Sequence, residues 1–204
     1  MQACGSAPKA VNADLSSIGR GGSGFPFAIS EPKAFNCRIV QTAGSTTAEY
    51  FIARDGDSYR FDIVHGEGGR MSQVKAGGKE YLVSYKQHSF YEMPANGSEV
   101  TPTGSIDAMF RGMIPEGGEL RYEKVSAESG RTRYAAASAD GKSEAVIETD
   151  DATGLPVSHE FFSIEGGTRR LIFSIKLGDV KLDAPAELFA VPEGFVRSAK
   201  PPDR

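Results

Sequence analysis

The chain has no tryptophan, only two cysteines and three histidines, and no long run of apolar or of basic residues. Each shortage removes a class of explanation. No apolar stretch approaches the roughly 18 residues that a membrane-spanning helix needs. With no basic run and a formal net charge of -4, nucleic acid is not expected as a partner. His65, His88 and His159 are far apart and belong to no His-Glu-x-x-His spacing, and the cysteines form no Cys-x-x-Cys. No metal site is therefore expected. The run Gly19-Arg20-Gly21-Gly22-Ser23-Gly24 is followed by no Gly-Lys-Ser/Thr, so it reads as a flexible loop and not as a phosphate cradle. There is no Gly-x-Ser-x-Gly elbow, and the paired carboxylates Asp55/Asp57 and Asp150/Asp151 stand at turn positions, where Asp bonds its own backbone. The expectation is a protein without catalytic residues and without a cofactor.

What the chain does contain is turns and alternation. Its 204 residues suffice for one domain with a sizeable core, and 24 Gly with 11 Pro suit a turn-rich β protein. From Lys33 the apolar residues recur with period two: Phe35, Cys37 and Ile39, then Tyr59, Phe61 and Ile63, and later Phe173, Ile175 and Leu177. Asp55-Gly56-Asp57, Gly77-Gly78, Asp140-Gly141 and Gly166-Gly167 separate these runs as tight turns. One stretch breaks the period. Ile106, Met109, Phe110 and Met113 fall at i, i+3, i+4 and i+7 behind Ser105, which is placed to cap a short helix. A lone amphipathic helix must lie on something apolar, and the sheet's inner face is the candidate. The reading is mainly β (α+β): a curved antiparallel sheet of about ten or eleven strands, joined as a meander, with short helical structure on its concave face. Residues 1–30 read as an N-terminal tether, 31–197 as the domain and 198–204 as a tail. The stretch Asp151–Phe195 reads as the closing edge of the sheet.

Three stretches together resemble the LolA/LolB-like superfamily of periplasmic and outer-membrane lipoproteins. They are Ser58-Tyr59-Arg60-Phe61-Asp62-Ile63; Lys79 to Pro94, ending Phe90-Tyr91-Glu92-Met93-Pro94 before a short apolar helix; and the C-terminal third. The third carries Thr153-Gly154-Leu155-Pro156-Val157, Asp179-Val180-Lys181-Leu182-Asp183 and Pro192-Glu193-Gly194-Phe195. The superfamily includes lipoprotein carriers, the sensor domain of an anti-sigma regulator and lipid-binding lipoproteins. The resemblance implies a half-open β-barrel of about eleven strands with helices plugging the concave side. It also implies a location in the bacterial cell envelope, facing the periplasm.

Cys4 is the second pointer to the envelope. Ala3-Cys4-Gly5 is similar to the end of a bacterial lipoprotein signal, in which the Cys becomes the lipidated first residue; Met1 then stands where a leader has been removed. An unmodified cysteine and a disulfide to Cys37 are the other readings. Cys37 itself reads as a small buried core residue. With Gly5 after the Cys, the outer membrane is the expected anchorage.

The expected function is binding or transport of a lipid, acyl chain or other hydrophobic small molecule in an apolar cavity. The alternative is a sensor or interaction module that recognises an envelope partner protein. The residues expected to line the cavity are Phe35, Tyr59, Phe61, Ile63, Tyr81, Met109, Phe110, Met113, His159, Phe161 and Phe173. The competing reading of each is ordinary packing between sheet and helix. His159, on the face of Phe161, is expected to be half-buried with one hydrogen-bond partner.

Overall fold

The computed structural model describes residues 25–65, 69–94, 105–111 and 120–202. Met113 and Cys4 lie outside them. The described residues form one twelve-stranded sheet. The first half is β1 (Ala34–Ala43), β2 (Thr46–Asp55), β3 (Ser58–His65), β4 (Gly69–Ala76), β5 (Lys79–Ser84) and β6 (Ser89–Glu92). Helix α1 (Ile106–Arg111) follows. The second half is β7 (Glu123–Glu128), β8 (Arg131–Ala137), β9 (Ser143–Asp150), β10 (Pro156–Glu165), β11 (Thr168–Lys181) and β12 (Val196–Arg197). The expected mainly-β, open and curved architecture is what the structure shows.

The order across the sheet is β12-β6-β5-β4-β3-β2-β1-β11-β10-β9-β8-β7. Two hairpin meanders are therefore joined side by side through β1 and β11, in register from Arg38 with Gly178 to Ala43 with Phe173. This corrects the reading of the C-terminal third as a closing edge: β10 and β11 stand in the middle. An edge position suits a short, bulged or charged strand. β11, with 14 residues and a buried Phe173-Ser174-Ile175 centre, is instead a strand with two neighbours. The edges are β7, bulged between Lys124 and Ser126, and the two-residue β12, parallel to β6. The turns use the expected glycines: Gly56 between β2 and β3 has φ +56°, and Gly166 and Gly167 between β10 and β11 have +56° and +80°.

Each face of the sheet carries an apolar cluster. On the inner face Phe35, Cys37, Ile39, Ile52, Phe61, Ile147, Ile175 and Leu177 join Ile106 and Phe110 of α1, Leu120, Tyr122 and Leu155 in one core. Phe25, Phe27 and Ile29 pack against it. Residues 25–30, read from sequence as part of the tether, thus belong to the fold; Phe25 and Phe27 flank Pro26, and burying two aromatic rings outweighs freedom of the segment. Leu120 and Tyr122, just before β7, pack into the same core. On the outer face a second cluster forms from Ala53, Val74, Val83 and Phe189, with Phe51, Tyr81, Tyr85, Leu188 and Phe195 against it. Its cover is the segment after β11, including a 3-10 turn at Ala186–Phe189.

Tyr81 is the one expected cavity residue found on the wrong face. Its cross-strand partner is Val74, whose own partner is Arg60, whereas Leu82 pairs with Gln73 and through it with Phe61. Leu82, not Tyr81, shares the inner face of β5. A strand reading Tyr-Leu-Val has apolar residues on both sides, so period two alone does not choose the side.

Candidate functional site

Of the other expected cavity residues, Phe35, Phe61, Phe110, Phe173 and His159 are buried on the inner face, and Ile63, Met109 and Phe161 pack against the same core. Tyr59 lies on this face at its polar end, where its hydroxyl donates to Glu80 and accepts from Gln73 Nε2 at 2.8 Å. The sequence reading therefore gathered residues that do meet. They meet as a filled core: Phe35, Phe110, Ile106 and Leu155 have no exposed surface. Phe161 and Phe173 stack with ring centres 5.6 Å apart. The Ser105 cap is present, its Oγ accepting from Ala108 N–H at 2.9 Å. A second cap comes from far away in sequence. Glu31 Oε1 accepts from the N–H of Ile106 at 2.6 Å and its Oε2 lies 3.4 Å from Arg54. The helix and the Phe25–Glu31 segment are thereby locked together over the inner face.

His159 is more deeply placed than its sequence suggests, at 1% exposure. Its Nε2 is 2.7 Å from the Tyr122 hydroxyl. The rings of Phe25, Tyr122 and Phe173 surround it edge-on. Among the described residues Nδ1 makes no hydrogen bond of good geometry. Burial holds its pKa down at about 4, against the opposing pull of the Phe110 carbonyl. It is a neutral, structural imidazole. Cys37 is similarly silent: burial, with the Glu31 carboxylate adding to it, pushes its pKa up to about 12.

The open site lies on the other face. A groove of about 710 Å³ runs between the strands β1–β4 and the chain that leaves β11. Two cross-strand rows build its base. Arg38, Phe51, Asp62 and Ser72 are successive partners, as are Glu49, Val64 and Arg70. Phe51 and Val64 supply an apolar floor and Leu188 an apolar wall; Val180 also lines the groove but packs against the inner core. The frame is pinned at two points. Asn36 Nδ2 donates to the Asp183 carbonyl at 2.8 Å, and Arg60 donates to the Leu188 carbonyl at 2.9 Å.

Beneath one end lies a buried ion cluster. Asp62 is fully buried and accepts from Arg60 Nε at 2.8 Å and from Arg70. Arg60, 5% exposed, also donates to Ser72 Oγ and the Tyr85 hydroxyl. Every nitrogen of that guanidinium is thus satisfied, the condition under which a buried ion is tolerated. Arg70 sits over the Tyr85 ring at 4.7 Å and its side chain is 40% exposed, yet its Nε is buried and donates to nothing among the described residues. Two arginines share one carboxylate, so the groove has a surplus cation at this end. Sequence reasoning missed this site because Arg60 and Asp62 looked like the solvent side of a half-buried strand. A smaller hollow of about 320 Å³, between Arg133, Glu148, Glu160 and Lys176, lies on the same face over β8–β11.

No protein-family model matches the chain, and no curated protein matches it. Solved structures do. An uncharacterized conserved protein from Thermus thermophilus is 11% identical with a TM-score of 0.46, over 82% of this chain and 90% of that one. MucB in complex with MucA(peri) is 16% identical with a TM-score of 0.40, over 76% of this chain. The MucA/MucB complex of Pseudomonas aeruginosa is 17% identical with a TM-score of 0.39, again over 76%. This chain spans just over half of those two chains, 55% and 56%.

Proposed function

We propose that this domain is a non-catalytic binding protein of the bacterial cell envelope, anchored through Cys4, and that it holds a hydrophobic small molecule. The observation that supports this reading is the outer-face groove. Its volume lies within the ~300–1,000 Å³ typical of small-molecule sites, and its floor and walls are apolar between charged ends. The inner face, where the sequence pattern placed the ligand, is occupied by the chain's own Phe25, Phe27, Phe110 and Tyr122. The envelope location rests on the Ala3-Cys4-Gly5 sequence and on the resemblance of the strand and turn motifs.

The test is native mass spectrometry of the full chain purified from a bacterial host without detergent, followed by solvent extraction. A co-purifying acyl-chain compound, lost on unfolding, is expected. A uniformly ligand-free protein that also takes up no added single-chain lipid would refute the reading. Mass measurement of the protein matured in its bacterial host tests the anchor, which predicts diacylglyceryl modification at Cys4.

A partner protein is the second reading. Among the described residues β7 pairs on one side only, leaving backbone groups to which a strand of another chain can add. Its lysine and glutamates and its bulge oppose indiscriminate pairing.

A further inference from the structure

We propose that the outer-face groove selects a single-chain amphiphile with one anionic head, the head seated at Arg70 and the chain lying along Phe51 and Val64. The inference rests on the ligand-binding reading above and adds the chemistry of the ligand.

Three observations lead to it. The first is the charge balance. Arg38 is matched by Glu49 at 2.5 Å across β1 and β2, and Lys181 stands in the same wall as Asp179. At the opposite end Asp62 is, among the described residues, the only carboxylate contacting Arg60 and Arg70, and each nitrogen of the Arg60 guanidinium already has a partner. Among the described residues one positive charge is left over, and it belongs to the partly exposed Arg70. The second is the orphaned Nε of Arg70. That donor is buried without an acceptor among the described residues, as are the Nε atoms of Arg54 and Arg133; it is the exposed part of the Arg70 guanidinium that can give an anion in the groove a charge-assisted hydrogen bond.

The third is the shape of the apolar part. Val64, near the end of β3 and opposite Arg70, is 38% exposed. Phe51 lies in the neighbouring row, and Leu188 closes the wall where Arg60 holds its carbonyl. From β4 to β1 is three strand spacings, about 14 Å. That length takes an acyl chain or part of one. A compact inorganic anion leaves the apolar floor uncovered, and a neutral lipid leaves Arg70 with only its shared claim on Asp62. A long-chain carboxylate meets both demands.

The experiment is titration of the full chain by isothermal calorimetry at pH 8 with oleate and, separately, oleyl alcohol, each below the concentration at which it aggregates. Oleate is expected to bind at least tenfold more tightly than the alcohol. Arg70→Gln should remove most of that preference, because one charge-assisted hydrogen bond is worth about tenfold or more. Val64→Glu, at a partly exposed position, should abolish binding of both ligands while circular dichroism stays unchanged. It keeps the test decisive if the Arg70 variant folds poorly. Equal affinity for oleate and alcohol, or full oleate affinity in a folded Arg70→Gln protein, overturns the anionic selection and leaves hydrophobic binding standing. Binding of neither ligand overturns both.

Discussion

Replacing His159 with glutamine is expected to flatten the acid side of the protein's stability profile. His159 is 1% exposed and its pKa is lowered to about 4 by burial, against about 6.5 in an unfolded chain. Between these values the unfolded state binds a proton that the folded state refuses. Stability is therefore complete above pH 6.5 and falls as the pH drops towards 4. The whole interval is worth about 3 kcal/mol, at about 1.4 kcal/mol for each pH unit of separation. Between pH 7 and pH 5 the loss is about 2 kcal/mol. Glutamine does not titrate, yet it can meet the Tyr122 hydroxyl that His159 holds at 2.7 Å. Asp150, whose carboxyl is held below its usual range by the Thr153 N–H and hydroxyl, responds only in stronger acid. Urea unfolding of both proteins at pH 7 and pH 5 measures the difference directly. Wild type should lose about 2 kcal/mol more than the variant. Equal losses would mean that His159 is charged or solvated in the fold, and the description of the inner face as a closed aromatic core would be wrong.

The remaining predictions concern the two faces separately. Cys37, with its pKa at about 12, should resist iodoacetamide at pH 8 in a Cys4→Ser background and react only on unfolding, as followed by mass. Asp62→Ala should leave Arg60 buried without its anion and destabilise by about 3–5 kcal/mol, readable as a shift in the urea midpoint. Phe110→Ala opens the core under α1 and should cost about 3–5 kcal/mol. Ser105→Ala, which removes only a cap, should cost about 1 kcal/mol.

How much of this the sequence carried depends on how many faces of a strand are covered. In β11 and β3 one side reads apolar, and Phe173, Ile175, Phe61 and Ile63 fall inside as period two demands. In β5 the neighbours Tyr81, Leu82 and Val83 are all apolar, and the side each faces is decided by pairing with β4. Arg60 and Asp62 are the sharper case. By alternation they face away from Phe61 and Ile63, and so read as solvated. They are buried because the chain returns more than a hundred residues later, bringing the Leu188 carbonyl to Arg60. No local pattern announces such a return. The same holds for Glu31, which caps a helix 75 positions away. The inner cluster was legible as a set of residues. Whether that set lined a void or filled it depended on Phe25 and Phe27, two rings in a segment whose composition resembles a linker.

The proposed ligand sits on the outer face, with the inner face as core. Photo-crosslinking with a single-chain fatty acid carrying a diazirine, mapped by peptide mass spectrometry, distinguishes the two faces. Labels are expected at Phe51, Val64 and Leu188, and unlabelled oleate should compete them away. Competed labels at Phe110, Phe161 and Phe173 would contradict this placement and return the ligand to the interior of the half-barrel.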